Sequence, residues 1–595
     1  MKRTLRVFPL LIATILVGIF WQTNSANAQE GHQTHTHSHD PSEKLGQVNF
    51  KISCIPQAQK QFNRAVAWLH SFEYEEAEKA FSEVAVTDPR CGMGYWGIAV
   101  SNYHPLWAPP TEEQLQKATS AVEKAKALGA NTPRERDYIA AIEVFYKDAN
   151  KLDHRTRSFA YSEAMKQLYQ RHPSDREAGV FYSLTLVATG MMANDKSYTR
   201  EKEAAQILNR VLAREPQHPG VTHYIIHSYD YPALAELALP AARSYAKIAP
   251  ASAHAQHMPS HIFTRLGLWP EGIRSNLDAR AAAKAFAVRN RMSGAWDEEL
   301  HAMDYLAYAY LQGAQDKKAW GVLDELNKIQ KVEPESFKVA YAAAAIPARY
   351  ALERRQWKEA AKLELPGGDA SVGISSASGI AGVSPAGNYW RSFPWQSFRW
   401  AVAHIHYARA IGAARTGDTN SARNDVEKLT AIRGSLIVAK GDYDWAGQVE
   451  IERLVASAWL EYAEGKHEES LRLMRAAADL DDATDKHPVT PGAILPAREH
   501  LGELLLELKQ PLLALQEFET SLRSAPNRFN GLYGAARAAR NAADQSKLAS
   551  DRKKAMTYYG KLVTLTRDAD SPRPEIEEAK EFLAGVNVKD SASTN

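Results

Sequence analysis

Residues 58–89 read AQKQFNRAVAWLHSFEYEEAEKAFSEVAVTDP. Small and apolar residues recur at helical spacing, the pattern breaks near Ser71-Phe72, a second helical run follows, and Asp88-Pro89 ends it. The stretch predicts two antiparallel helices joined by a short turn. Pairs of the same kind recur at 233–250 (ALAELALPAARSYAKIAP), 310–326 (YLQGAQDKKAWGVLDEL) and 504–526 (LLLELKQPLLALQEFETSLRSAP). One such pair cannot bury its apolar face alone, but a stack of them can, and about eleven or twelve fit between residues 55 and 585. The expectation is an all-α solenoid that winds into a superhelix with a concave groove.

The repeat resembles the tetratricopeptide repeat (TPR). Ala65 and Ala77 stand at the family's two small positions, Phe81 at its aromatic one and Pro89 at its closing proline, while Gln61 replaces the usual Trp. Gly502, Ala514, Phe518 and Pro526 fall in the same register later in the chain. In that family the first helix of each pair faces the groove, which usually takes a peptide or partner protein.

The flanks set the compartment. Lys2, Arg3 and Arg6 precede an apolar run from Val7 to Phe20, and Ala26-Asn27-Ala28 gives a small-x-small cleavage site. Residues 1–28 therefore read as a signal peptide, so the mature chain is expected in the periplasm or outside the cell, with no stable membrane span. The chain has 595 residues, with 72 Lys+Arg against 70 Asp+Glu. That balance gives no basic surface for nucleic acid. Cys54 and Cys91, the only cysteines, flank one helical hairpin. Antiparallel helices bring those ends together and export favours oxidation, so a disulfide is expected, with two free thiols as the alternative.

Residues 29–48 (QEGHQTHTHSHDPSEKLGQV) read as a polar, disordered leader, with His32, His35, His37 and His39 as a loose metal-collecting tract. The array then divides into 49–365 and 395–585 around a Gly/Ser-rich insertion at 366–394, a linker or lid. A shorter acidic loop spans 479–494, and 586–595 reads as a disordered tail.

The chemistry lies in the histidines. Segment 218–230 reads HPGVTHYIIHSYD and segment 254–263 reads HAQHMPSHIF. His223 and His227 are spaced i,i+4, so they share a helical face, and His257 and His261 repeat that spacing 34 residues later. The TPR resemblance implies that all four face the groove from consecutive first helices. His301 and Asp304, at i,i+3 in WDEELHAMDYLAY (296–308), join them in the next repeat, and His254 lies on the same face as His257. Such a set predicts a groove site for one or two divalent transition ions (Cu, Zn or Fe). Additional or outer candidates are His254, His70, His104, Asp230 and Tyr308, with Tyr224, Tyr229 and Arg265 nearby; His404 is expected to lie too far away. Met258-Pro259 threatens the register between His257 and His261, because proline interrupts a helix. No HExxH zinc-protease motif, phosphate loop or nucleophile elbow occurs. The chain also resembles exported bacterial TPR proteins that carry the HPGxxHYxIHxxD and HMPSHIF segments. Two functions follow: a metalloprotein, which if catalytic would be a metal-dependent hydrolase or an oxidase, and a non-catalytic envelope scaffold. The groove ligand is expected to be a peptide, a protein or a small molecule.

Overall fold

A computed structural model of the chain describes residues 43–107, 109–364, 388–438 and 443–592. The signal peptide, the leader histidines and most of the 366–394 insertion lie outside the described residues. Among them, twelve consecutive helix pairs run from Pro56–His70 and Tyr74–Thr87 to Phe529–Ser546 and Ala549–Leu565, and a last helix, Pro574–Ala592, follows. The all-α solenoid read from the repeats is therefore present, and both parts of the array belong to one compact unit from Pro41 onward. The only strands among the described residues, Ala295–Trp296 and Val332–Glu333, form a two-residue parallel bridge. None of the described helices is long and apolar enough to cross a membrane.

The residues that gave the repeat its signature make the closest packing. A Cβ at Gly97 would meet Phe81 at 2.0 Å, and one at Gly534 would meet Phe518 at 2.2 Å. In these two repeats the aromatic position thus wedges into the next helix, which must be small there. Cys54 and Cys91 are disulfide-bonded with Cα atoms 5.4 Å apart, as the hairpin reading expected.

Several boundaries differ from the sequence reading. Residues 43–48, assigned to the disordered leader, lie against the array: Leu45 is buried and the Gln47 amide donates to the Gln217 carbonyl at 2.8 Å. The C-terminal helix continues through Ala592, into the stretch read as tail. The second pair's first helix stops at Ser101, so His104 is not on it; it sits at φ +45°, its ring 4.5 Å from Tyr74. Pro105 bars continuation: it has no N–H to give, and its ring would clash with the Ser101 carbonyl in a continued helix.

Distant repeats also touch. The Pro56–His70 helix packs on Pro219–Tyr229. Trp269 Nε1–H donates to the Asn527 carbonyl at 2.7 Å, and Arg573 pairs with Asp316 at 3.0 Å. The 484–496 segment, between Ala483 and Ala497, reaches Asp230 and Tyr305.

Candidate metal centre

Three helical segments supply the histidines: Pro219–Tyr229, the split helix Ala253–His257 with Pro259–Arg265, and Asp297–Gln312. Met258 and Pro259 do split the middle one. Met258 nevertheless keeps right-handed helical dihedrals (φ −53°, ψ −35°), so the turn from His257 to His261 survives the missing N–H.

The six histidines form two triads, His223/His227/His254 and His257/His261/His301, each with a set of ring nitrogens within 4.8 Å of one another. All six are buried, between 0% and 6% exposed. The triads are adjacent: His227 and His261 have ring centroids 6.4 Å apart, as do His254 and His257. His254, read only as an additional candidate, is a full member of the first triad.

The hydrogen bonds around the rings fix which nitrogens are bare. His257 Nδ1–H donates to Asn276 Oδ1 at 2.6 Å, and the Asn276 amide nitrogen is spent on the Gly272 carbonyl at 2.8 Å, so its oxygen must face the ring. His261 Nδ1–H donates to Asp230 Oδ2 at 3.0 Å. His223 Nδ1–H donates to the His70 carbonyl at 2.7 Å. Each of these acceptors has no proton to give, so the Nε2 atoms of His223, His257 and His261 are lone pairs. His257 and His261 then face each other, Nε2 to Nε2, at 3.0 Å. The Nε2 atoms of His227 and His254 approach that of His223 at 3.0 and 3.2 Å.

Electrostatics keep the rings neutral. Burial pushes His227 and His261 down to about 3 and His257 down to about 4, and holds His223, His254 and His301 well below the ordinary imidazole value. Burial alone would raise the Asp230 carboxyl, but Lys486 and Arg265 hold it well below the usual range. Their nitrogens lie 3.1 and 2.8 Å from its two oxygens. Asp230 is thus an ionised acceptor behind His261, the carboxylate–histidine arrangement that orients metal ligands.

Two aromatic side chains cover the triads. Phe72 lies 4.3 Å from the His223 ring and 5.5 Å from that of His227; Tyr305 lies 4.7 Å from His257 and 5.2 Å from His261. The Tyr305 hydroxyl donates to the Val489 carbonyl at 3.0 Å and sits 3.2 Å from His261 Nε2.

Several expected residues lie elsewhere. Asp304, read as a ligand, turns away from the imidazoles and forms a buried ion pair with Arg349. At i+3 from His301 it shares a broad face but not a direction; Tyr305, at i+4, is the residue that reaches the triad. Tyr308 accepts from Arg528 at 2.6 Å and packs edge-on against Trp269, within a different buried cluster. His104 joins neither triad. His404 Nδ1 contacts Glu452 at 2.6 Å, apart from both triads. His70 contributes its carbonyl to the centre while its ring joins Glu177 and His218 in a third cluster. There His70 and His218 each donate Nε2–H to Glu177 at 3.0 Å, and their Nδ1 atoms accept from the Tyr224 hydroxyl and the Val221 amide. Every nitrogen there has a proton partner, so it reads as a closed hydrogen-bond network rather than a ligand set. Asn276, Tyr305, Lys486, Glu177 and His218 were not singled out from the sequence; only Tyr305 carried a signal, its i+4 spacing from His301.

A cavity of about 310 Å³ opens beside His227, lined by Trp107, Phe398, Trp400, Trp445 and Lys486 among others.

No protein-family model matches the chain, and no curated protein does. Solved structures are similar only at a distance. Human IFIT1 with m7Gppp-AAAA shares 12% identity over 88% of this chain and 97% of that one, with a TM-score of 0.37. Yeast Tom70 shares 10% over 90% and 96%, with a TM-score of 0.32. Naa15/Naa10 bound to HypK-THB shares 11% over 90% and 74%, with a TM-score of 0.22. At these scores nothing about ligands or activity carries over.

Proposed function

We propose that the mature chain is an exported metalloprotein that holds two divalent transition ions, one in His223/His227/His254 and one in His257/His261/His301. The observation that carries the reading is the pair of bare Nε2 atoms of His257 and His261, 3.0 Å apart, with both tautomers fixed from behind. Two neutral lone pairs repel at that distance unless a cation stands between them. Six imidazoles without thiolate or carboxylate suit copper, zinc or iron, copper(II) ranking highest in intrinsic affinity. Three protein ligands per ion is the number used by catalytic sites that keep a position open, and an ion so held supplies either an activated water for hydrolysis or, for copper or iron, reaction with oxygen.

A helical-repeat array also fits a scaffold or binding role. The two triads are poor candidates for that role, because rings buried under Phe72, Tyr305 and the 484–496 segment offer no surface to a peptide.

Metal analysis of the purified mature protein tests the reading. It is to be run with and without residues 29–42, and on the His223→Ala/His227→Ala variant. Two equivalents in the leader-deleted protein and about one in the variant are expected. Metal retained only when the leader is present would overturn it.

A further inference from the structure

The cavity beside His227 has a specific chemistry. Its volume of about 310 Å³ lies at the lower end of the ~300–1,000 Å³ range of small-molecule sites. Its wall is aromatic. Trp400 and Trp445 stack face to face at 3.7 Å, and His487 stacks on Trp445 at 5.1 Å. At the inner end, Trp107 lies 5.9 Å from the His227 ring and 6.0 Å from that of His254. Of the six triad histidines, His227 lines this space.

The charges on the wall are tied up in ion pairs. Among the described residues that line the cavity, the charged ones are Asp230, Arg265, Asp485 and Lys486. Arg265 and Lys486 are paired with Asp230, and Asp485 is paired with Lys196. Two cations thus share one carboxylate, and this leaves a surplus of one positive charge that favours a ligand oxygen able to accept. Among the directional groups on the wall, His487 Nδ1 accepts from the Val489 amide at 3.3 Å, so its Nε2 carries the proton and is a donor.

We infer that this cavity is the substrate site of the metal centre and that it takes a flat aromatic molecule of one or two rings bearing an oxygen, a phenol or an aryl carbonyl. The inference rests on the metal-centre reading above. Aromatic walls reward a flat π-system beyond its area alone, edge-on as well as stacked. An oxygen on that ring has two partners within the same space, the His487 N–H and the ion held by His227.

The experiment uses 4-fluorophenol as probe, followed by fluorine NMR against the metal-free, Zn(II)-loaded and Co(II)-loaded mature protein, with metal content measured on each sample. Saturable binding is expected in all three, with strong extra broadening or shift only in the Co(II) protein, because the probe then lies beside a paramagnetic ion. Phe398→Ala should weaken binding by tenfold or more. Met192→Trp, which fills the cavity, should abolish it while metal content and helical circular dichroism stay as in the parent. Cyclohexanol should not compete. Failure of 4-fluorophenol to bind the metal-loaded parent saturably would overturn the inference, as would binding without a cobalt effect in a sample that demonstrably holds cobalt. A protein that takes up no metal yet binds the phenol would defeat the metal-centre reading instead, and the assignment of the cavity as its substrate site would fall with it.

Discussion

His257 and His261 are held nitrogen to nitrogen by partners that leave neither of them a proton to share: Asn276 behind one ring and Asp230 behind the other. Asn276 is therefore part of the site although it touches no ligand position. Asn276→Ala frees the His257 ring to rotate or change tautomer. We expect the ion in His257/His261/His301 to bind about 10- to 100-fold more weakly, the usual cost of losing an outer hydrogen bond, and the ion in the other triad to be unaffected. Competition with a chromophoric chelator separates the two. Equal weakening of both sites would make Asn276 a general packing residue.

Stability of the metal-free chain should fall with acid. His227, His257 and His261 titrate near 3 to 4 in the folded chain because of burial, against about 6.5 when unfolded. Below that unfolded value the unfolded state binds more protons than the native one, so stability is fully present above it and is lost as pH falls towards the folded values. Each group contributes up to about 1.4 kcal/mol per pH unit within that window. Urea midpoints between pH 7 and pH 4 measure the slope. A midpoint that stayed level across the window would mean that the rings are already charged in the native state.

Asp304 gives a clean separation of stability from metal binding. Asp304→Asn should leave both equivalents of metal in place. It should also cost about 3–5 kcal/mol, because it strands a buried guanidinium without its counter-charge; that group is Arg349. Loss of one equivalent in a folded Asp304→Asn protein would restore the carboxylate to the ligand set.

The Cys54–Cys91 bridge closes a loop with a sequence separation of 37. On the chain-entropy account it stabilises by about 4 kcal/mol. Cys54→Ser/Cys91→Ser should lower unfolding stability by roughly that amount, read by denaturant titration, without altering metal content, since neither sulfur is near a triad.

The helix pairs were legible because each carries its own periodicity and its own stops: Phe81 and Phe518 mark the wedge, Pro89 and Pro526 the end. The histidine faces were legible for the same reason, since i,i+4 spacing and a 34-residue offset survive any uncertainty in how the array curls. The division into two triads was not. It depends on His254 leaning back towards His223 while His257 leans forward towards His301, a choice made by packing rather than spacing. Asp304 was misread because helical register places a residue on a face, whereas a buried Arg349 decided which way its carboxylate turned. The closing 484–496 segment left no periodic trace at all, so Lys486 and the Val489 carbonyl could be found only in three dimensions. Likewise, His104 stands 34 residues after His70, one repeat period, but the helix ends at Ser101 and leaves it in the turn before Pro105.

In an open stack of repeats, stability adds up link by link, and the ends fray or can be trimmed without disturbing the middle. Here His223 is oriented by the carbonyl of His70 in the first pair, and Tyr305 is tied to Val489 beyond the tenth. Those ties close the spring into a loop. Removing the outer repeats from either end would then unravel the centre as well, and the molecule should melt as one cooperative body rather than in stages.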